Sequence, residues 1–134
     1  MGVSVLTVDD QLAIQQLVAR YSHAIDGGDG AAYAGTFVDS GVLDAGALQV
    51  EGSQALEQFA NEFPNSVRSP RHVATNLVID GTGDGATCKA YVQLFTMVGE
   101  PPHHQVTAAG VYDDTLSKAD GTWRFVRRTF IPDR

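Results

Sequence analysis

The chain has 134 residues, a length that suits one domain with one core. It is 43% hydrophobic and 19% charged, a globular rather than a disordered composition; with a formal net charge of -7 and no basic cluster beyond Arg127-Arg128, neither nucleic acid nor an anionic membrane is an expected partner. The single cysteine, Cys88, excludes an internal disulfide and a four-cysteine metal site.

The opening "MGVSVLTVDD" has no basic n-region and misses the Ser/Thr position of the myristoylation pattern. No apolar run approaches the ~20 residues of a membrane span. These features read as a cytoplasmic protein.

Thr7 starts the first helix, with Asp10 placed to complete a capping box. Ile14, Leu17, Val18, Tyr21 and Ile25 recur at helical spacing, and Gly27-Gly28 ends the run. Asp29 caps a short second helix through "GAAYAGTF", which buries Tyr33 and Phe37. "VLDAGALQV" reads as a hairpin around Ala45-Gly46. Ser53 is placed to cap a third helix, "QALEQFANEF", with Ala55, Leu56, Phe59, Ala60 and Phe63 on one face and Pro64 just past its end.

After Pro70 the period changes to two. "RHVATNLVID" and "ATCKAYVQLFTMV" are strands joined by the turn "DGTGDG"; "EPPHH" interrupts; "QVTAAGVYDDTL" and "TWRFVRRTFI" follow, joined by a turn at "SKADG". Helices first and strands afterwards predict an α+β fold, with helices covering one face of a mostly antiparallel sheet.

Several motifs fail on context. "GTGDG" joins two strands and precedes no helix, so it is a turn rather than a dinucleotide loop. His103 and His104 point to opposite faces of a strand and cannot share one ion, so no metal is expected. Cys88 reads as a small buried strand residue, and Trp123 as a core residue whose indole nitrogen needs a partner. Arg124, Arg127 and Arg128 are expected on solvated or inter-subunit surface.

Four residues resist a purely structural reading: Tyr21, Asp26, His72 and Asn76. Strict alternation in "RHVATN" puts His72, Ala74, Asn76 and Val78 on one face and Val73, Thr75, Leu77 and Ile79 on the other. Asp26 lies at a helix C-terminus, where the macrodipole disfavours an anion. Such a local conflict points to a functional role.

"LVARYSHAIDGGDGAAYAGTFVDSGVLD", the helix after "EGSQAL", "RHVATNLVID" and "GVYDDTLSKADGTWRFVRRTF" occur in that order. With its "Y-x4-D-x2-D" opening, "RH-x3-N" strand and final "DG-x-W-R" strand, the chain resembles the SnoaL-like branch of the nuclear-transport-factor-2-like superfamily. The resemblance runs from about Thr7 to Phe130 and implies one SnoaL-like domain across residues 1–134. The implied fold is a cone-shaped α+β barrel, with three N-terminal helices on a strongly curved, mostly antiparallel sheet. The cone would hold a small apolar or aromatic ligand, its mouth shaped by "EPPHH" and the Phe59–Phe63 helix.

Within that superfamily, scytalone dehydratase-like and bile-acid 7α-dehydratase-like enzymes carry a tyrosine and an aspartate on the first helix and a histidine on the third long strand. Tyr21, Asp26 and His72 match in type and spacing. The resemblance implies a cofactor-independent lyase or isomerase acting on a small polycyclic or aromatic compound. Asp26 would orient His72, and Tyr21 would donate to a substrate oxygen. The chemistry suits these residue types. Proton abstraction beside a carbonyl needs a base that titrates near neutrality, as histidine does, and the oxyanion needs a donor.

The bile-acid-type enzymes add an acid in the next strand, where this chain has Leu94. His104 and Tyr112 are then candidate proton donors, and Asn76, Phe59 and Phe63 candidate pocket residues. Two alternatives stand beside this reading. One is a ketosteroid-isomerase-like mechanism with Asp44 as base, although Asp44 is one residue out of step. The other is a non-catalytic binding or assembly domain of the same fold, as in ring-hydroxylating dioxygenase β-subunits.

Members of the superfamily commonly pair through the convex sheet face. Strict alternation puts Trp123, Phe125 and Ile131 on one face of the last strand and Val126 and Phe130 on the other, so a homodimer is expected.

Overall fold

The computed structural model describes residues 5–134. The myristoylation reading rests on residues that lie partly outside that range. Helix α1 (Val8–Asp26) begins at the expected cap: the Thr7 hydroxyl accepts the Asp10 N–H at 3.0 Å, and the Asp10 carboxylate accepts the Thr7 N–H at 3.1 Å. The same carboxylate accepts the Trp123 indole N–H at 3.0 Å and Lys118 at 2.9 Å. Lys118 first, then Trp123, hold the Asp10 carboxyl well below its ordinary range. One residue thus caps α1, gives Trp123 its partner and ties the helix start to the last strands.

Ile14, Leu17, Val18, Tyr21 and Ile25 are all buried, as the spacing requires. The chain leaves α1 through Gly28, whose φ of 68° lies in the left-handed region. Helix α2 (Gly30–Gly35) is capped by Asp29, which accepts the Ala32 N–H at 3.1 Å. Gly30 sits so close to α3 that a Cβ would lie 2.2 Å from the Glu57 carbonyl oxygen. Phe37 opens strand β1 (Phe37–Ala45) instead of closing α2, and β1 forms the expected hairpin with β2 (Leu48–Glu51).

Helix α3 (Ser53–Ser66) differs from the sequence reading at both ends. Its N-cap is Gly52, with no side-chain cap bond. The Ser53 hydroxyl instead donates to the Asp39 carbonyl at 3.3 Å. Pro64 lies inside the helix, in its last turn, rather than just past its end. Four long strands follow: β3 (Arg71–Gly81), β4 (Gly85–Val98), β5 (His103–Ala119) and β6 (Thr122–Pro132).

The six strands form one sheet in the order β2-β1-β6-β5-β4-β3. All neighbours are antiparallel except β1 and β6, which are parallel. The sheet is therefore mixed, and it does not close into a barrel: β2 and β3 are its edges. The three helices pack against one face, over a core that includes Ile14, Leu56, Leu116 and Phe125. Among the described residues no helix is long and apolar enough to cross a membrane.

Among the described residues the register shifts in four strand pairs; the shifts in β3, β5 and β6 each insert one residue and reverse which side chains face the helices. In β3, Thr75 pairs with Tyr91 and Val78 with Lys89, so one residue is extra. Asn76 adopts a φ of 57° there. Beyond it Leu77 and Ile79 pack on the core, while Asn76 and Val78 are exposed. Asn76 therefore does not share the inner face with His72, contrary to the alternation. In β5, Thr107 is extra between the pairs Leu94–Ala108 and Phe95–Val106.

In β6, Val126 is extra between the pairs Phe125–Leu116 and Arg127–Thr115. Trp123, Phe125, Arg128 and Phe130 then turn inward, and Val126 and Ile131 turn outward. This corrects three expectations. Phe130 shares the Trp123 face instead of opposing it. Ile131 is not on the Trp123 face, and Arg128 is not on the surface.

The bulge at Asn76 yields a stability test. Asn76→Gly should leave urea stability within about 0.5 kcal/mol of wild type, because glycine accepts positive φ. Asn76→Val should lower it by about 1–2 kcal/mol, the usual cost of left-handed backbone for a side chain with a branched Cβ.

Candidate active site

Asp26 ends α1 where the helix dipole opposes it, and β3 supplies the compensation. The His72 backbone N–H donates to both Asp26 carboxylate oxygens, at 3.2 and 2.9 Å. The His72 ring Nδ1 lies 2.6 Å from Asp26 Oδ1. A carboxylate only accepts, so this contact places the ring hydrogen on Nδ1. Nε2 is then the basic nitrogen, and no hydrogen bond reaches it among the described residues. Both side chains are 12% exposed, and Phe63 packs on the imidazole with ring centres 5.5 Å apart.

The His72 ring lines a cavity of about 170 Å³ between the helices and the sheet. Leu43, Leu48, Phe59, Phe63, Leu94 and Phe130 supply apolar wall. The polar side chains of that wall are His72, Tyr21 and Tyr112. Asp26 is not part of it. It stands behind His72, in the wall of an open groove between α1 and β3 that also meets His23 and Arg71.

The phenols form a connected set. The Tyr33 hydroxyl donates to the Tyr21 hydroxyl at 3.0 Å. Burial raises the Tyr21 and Tyr112 hydroxyls well above the ordinary tyrosine value. At neutral pH they are donors.

Behind them lies Arg128, with 0% of its surface exposed. Its Nε and Nη2 donate to the two oxygens of buried Asp114 at 2.9 and 3.1 Å, a bidentate charge-assisted pair. The guanidinium carbon sits 3.5 Å from the Tyr112 ring centre, 4.4 Å from Tyr21 and 4.5 Å from Phe125. Burial works against the Arg128 charge, but Asp114, Tyr112 and Tyr21 raise its pKa above the ordinary value. Burial raises the Asp114 carboxyl against the pull of Arg128. Cys88, next to this pair, has its thiol pushed up to about 12 by burial and by Asp114, and so stays an uncharged core residue.

Sequence reasoning missed Arg128, Asp114 and Tyr33. One signal was present. Alternation in "VYDDTL" puts Asp114 on the same face as Tyr112 and Leu116, and a carboxylate there demands a buried cation.

Of the residues singled out from sequence, Tyr21, His72, Phe59, Phe63 and Tyr112 line the cavity, with Asp26 directly behind. Asn76 and His104 do not. His104 is exposed, with its Nε2 3.3 Å from the Ser69 carbonyl oxygen. Asp44 also points away: it pairs with Arg127 and accepts the Gly46 N–H, while its neighbours Leu43 and Ala45 face the cavity. Those partners lower its pKa, Arg127 most of all. An Asp44-based mechanism is therefore excluded by strand parity.

This arrangement of helices and sheet has many counterparts. The sequence profile of the SnoaL-like domain matches residues 6–129. The chain belongs to the SnoaL-like family. This SnoaL-like protein is 30% identical over 133 residues to Rv2910c, an uncharacterized protein of Mycobacterium tuberculosis, covering 94% of the chain and 87% of the relative. The structure of a variant of Rv3472, a function-unknown M. tuberculosis protein, superposes with a TM-score of 0.88 at 30% identity, covering 96% of this chain and 79% of that one. A Novosphingobium aromaticivorans protein provisionally named scytalone dehydratase superposes with a TM-score of 0.79 at 23% identity, covering 95% and 86%. At that identity the likeness concerns the fold.

The buried pair in this SnoaL-like protein gives a second stability test. Asp114→Ala leaves a buried cation unpaired and should cost about 3–5 kcal/mol in urea denaturation. Its exposed neighbour is the control: Asp113→Ala should stay within about 0.5 kcal/mol.

Proposed function

We propose that the protein is a cofactor-independent lyase or isomerase that removes a proton beside a carbonyl-type oxygen. The observation that carries this reading is the Asp26–His72 contact at Nδ1, which leaves Nε2 of a cavity-lining imidazole as the base. The C–H proton passes to Nε2, and the bonding pair moves toward the substrate oxygen. Tyr21 or Tyr112 donates a hydrogen bond to the developing oxyanion. The enolate then either takes the proton back at another carbon, which is isomerisation, or expels a hydroxyl group that leaves with a proton as water, which is dehydration. Tyr112 fills the donor role left open by Leu94.

Cavity size narrows the substrate. An engineered cavity of about 150 Å³ in another protein holds one benzene molecule. The volume of about 170 Å³ here therefore suits a single ring with one oxygen function, and a polycyclic compound only with part of its body outside. Single-ring ketones incubated with the protein in deuterium oxide should exchange their α-hydrogens, as read by NMR. His72→Ala should slow that exchange by about 10²-fold or more, and Asp26→Asn should slow it too, with circular dichroism unchanged. No exchange with any such ketone would favour a binding domain.

We also propose that two copies pair through the outer sheet face. Thr75, Tyr91, Val111 and Ile131 align across β3, β4, β5 and β6 on that face. Tyr91 is 60% exposed, with Val73, Val78 and Val126 also open to solvent. A second acidic copy with the same apolar row suits this surface better than a polyanion. Light scattering should give about twice 14.3 kDa, and Tyr91→Glu should give the monomer.

A further inference from the structure

We propose that Arg128 is a positioning residue for ligand charge: acting through the rings of Tyr21 and Tyr112, it makes the cavity favour a ligand oxygen that carries negative charge. This rests on the proton-abstraction reading above, in which such an oxygen develops.

The geometry places a cation directly behind the two cavity hydroxyls. Arg128 does not line the cavity, but both phenols stacked against it do. Packing alone does not account for it, since apolar side chains of similar volume commonly replace a buried ion pair without loss of stability. Nor is it fully used by Asp114, because Nη1 is buried with no hydrogen-bond partner among the described residues. The charged and titratable groups around it are Asp114 and Tyr112 on β5, Tyr21 on α1, Cys88 on β4, and Tyr33 on α2 behind Tyr21.

Asp114 does not cancel the effect at the cavity. The guanidinium stacks directly on the Tyr112 and Tyr21 rings, and its lowering of the Tyr112 pKa outweighs the rise caused by Asp114. Burial still keeps both phenols protonated. The negative charge therefore stays on the ligand, and the phenols present it with O–H donors polarised by a fixed cation behind them.

The test uses 4-nitrophenol, a one-ring probe whose absorbance reports its own ionisation. Bound to the full chain, it should titrate below its value in water. In the Arg128→Met/Asp114→Leu double variant, which removes both charges together, the bound probe should titrate about one unit or more higher. Arg128→Lys, which keeps the charge, should restore at least part of the shift. If the double variant does not fold, Tyr21→Phe/Tyr112→Phe, which keeps the cation but removes the hydroxyls, should abolish the shift. Equal titration in wild type and the variant, a shift that survives loss of both hydroxyls, or exclusion of the 4-nitrophenolate ion from the wild-type cavity would overturn the assignment. Failure of the proton-abstraction reading registers elsewhere, as absent deuterium exchange in the wild-type protein.

Discussion

The interior of this fold is organised around a charge that has no access to water, the guanidinium of Arg128. A cation moved out of water is stable only with a paired anion and polarisable neighbours. Asp114 supplies the anion from β5, and Tyr112, Tyr21 and Phe125 supply the ring faces. Meeting these demands fixes the position of α1 over the sheet, because Tyr21 must reach the guanidinium from the helix side. It also fixes the phenol end of a mostly apolar cavity whose other polar group is His72. The donors at that end are phenols kept protonated by burial.

The opposite constraint acts at the C-terminus of α1, five residues beyond Tyr21. Asp26 is an anion at the wrong end of a helix dipole, and it is held there by three contacts with one residue of β3. Two of those contacts go to backbone and one to the imidazole. The backbone contacts anchor the helix end to the edge strand, and the side-chain contact sets the tautomer of His72. A single carboxylate thus joins a structural task to a chemical one. It does so from the groove side of the wall, so the cavity itself keeps no carboxylate in its lining.

Much of the architecture was legible because it rests on local physics. The α1 stripe, the Thr7–Asp10 capping box, the glycine exit at Gly28 and the hairpin at Ala45-Gly46 follow from spacing and turn chemistry alone. The Asp26 anomaly was legible for the same reason, since an anion at a helix C-terminus can be recognised without knowing what compensates it. The end effects at α3 were harder to read. Gly52 displaced Ser53 as cap because the Ser53 hydroxyl found the Asp39 carbonyl, a contact between distant parts of the chain.

Sequence by itself determined the order of elements, the helix faces, the first-helix tyrosine and aspartate, and the strand that carries His72. Tertiary structure alone decided side-chain direction beyond each bulge. Alternation predicts strand faces only while the ladder is regular, and one extra residue reverses every position after it. The bulge at Val126 sent Arg128 into the core and Ile131 out of it, and the bulge at Asn76 sent that residue to solvent. Regular parity at Asp44 turned it away from the cavity that Leu43 and Ala45 line. A bulge is set by how neighbouring strands must bend to cover the helices, and that requirement is written in the packing of the whole sheet rather than in any one strand.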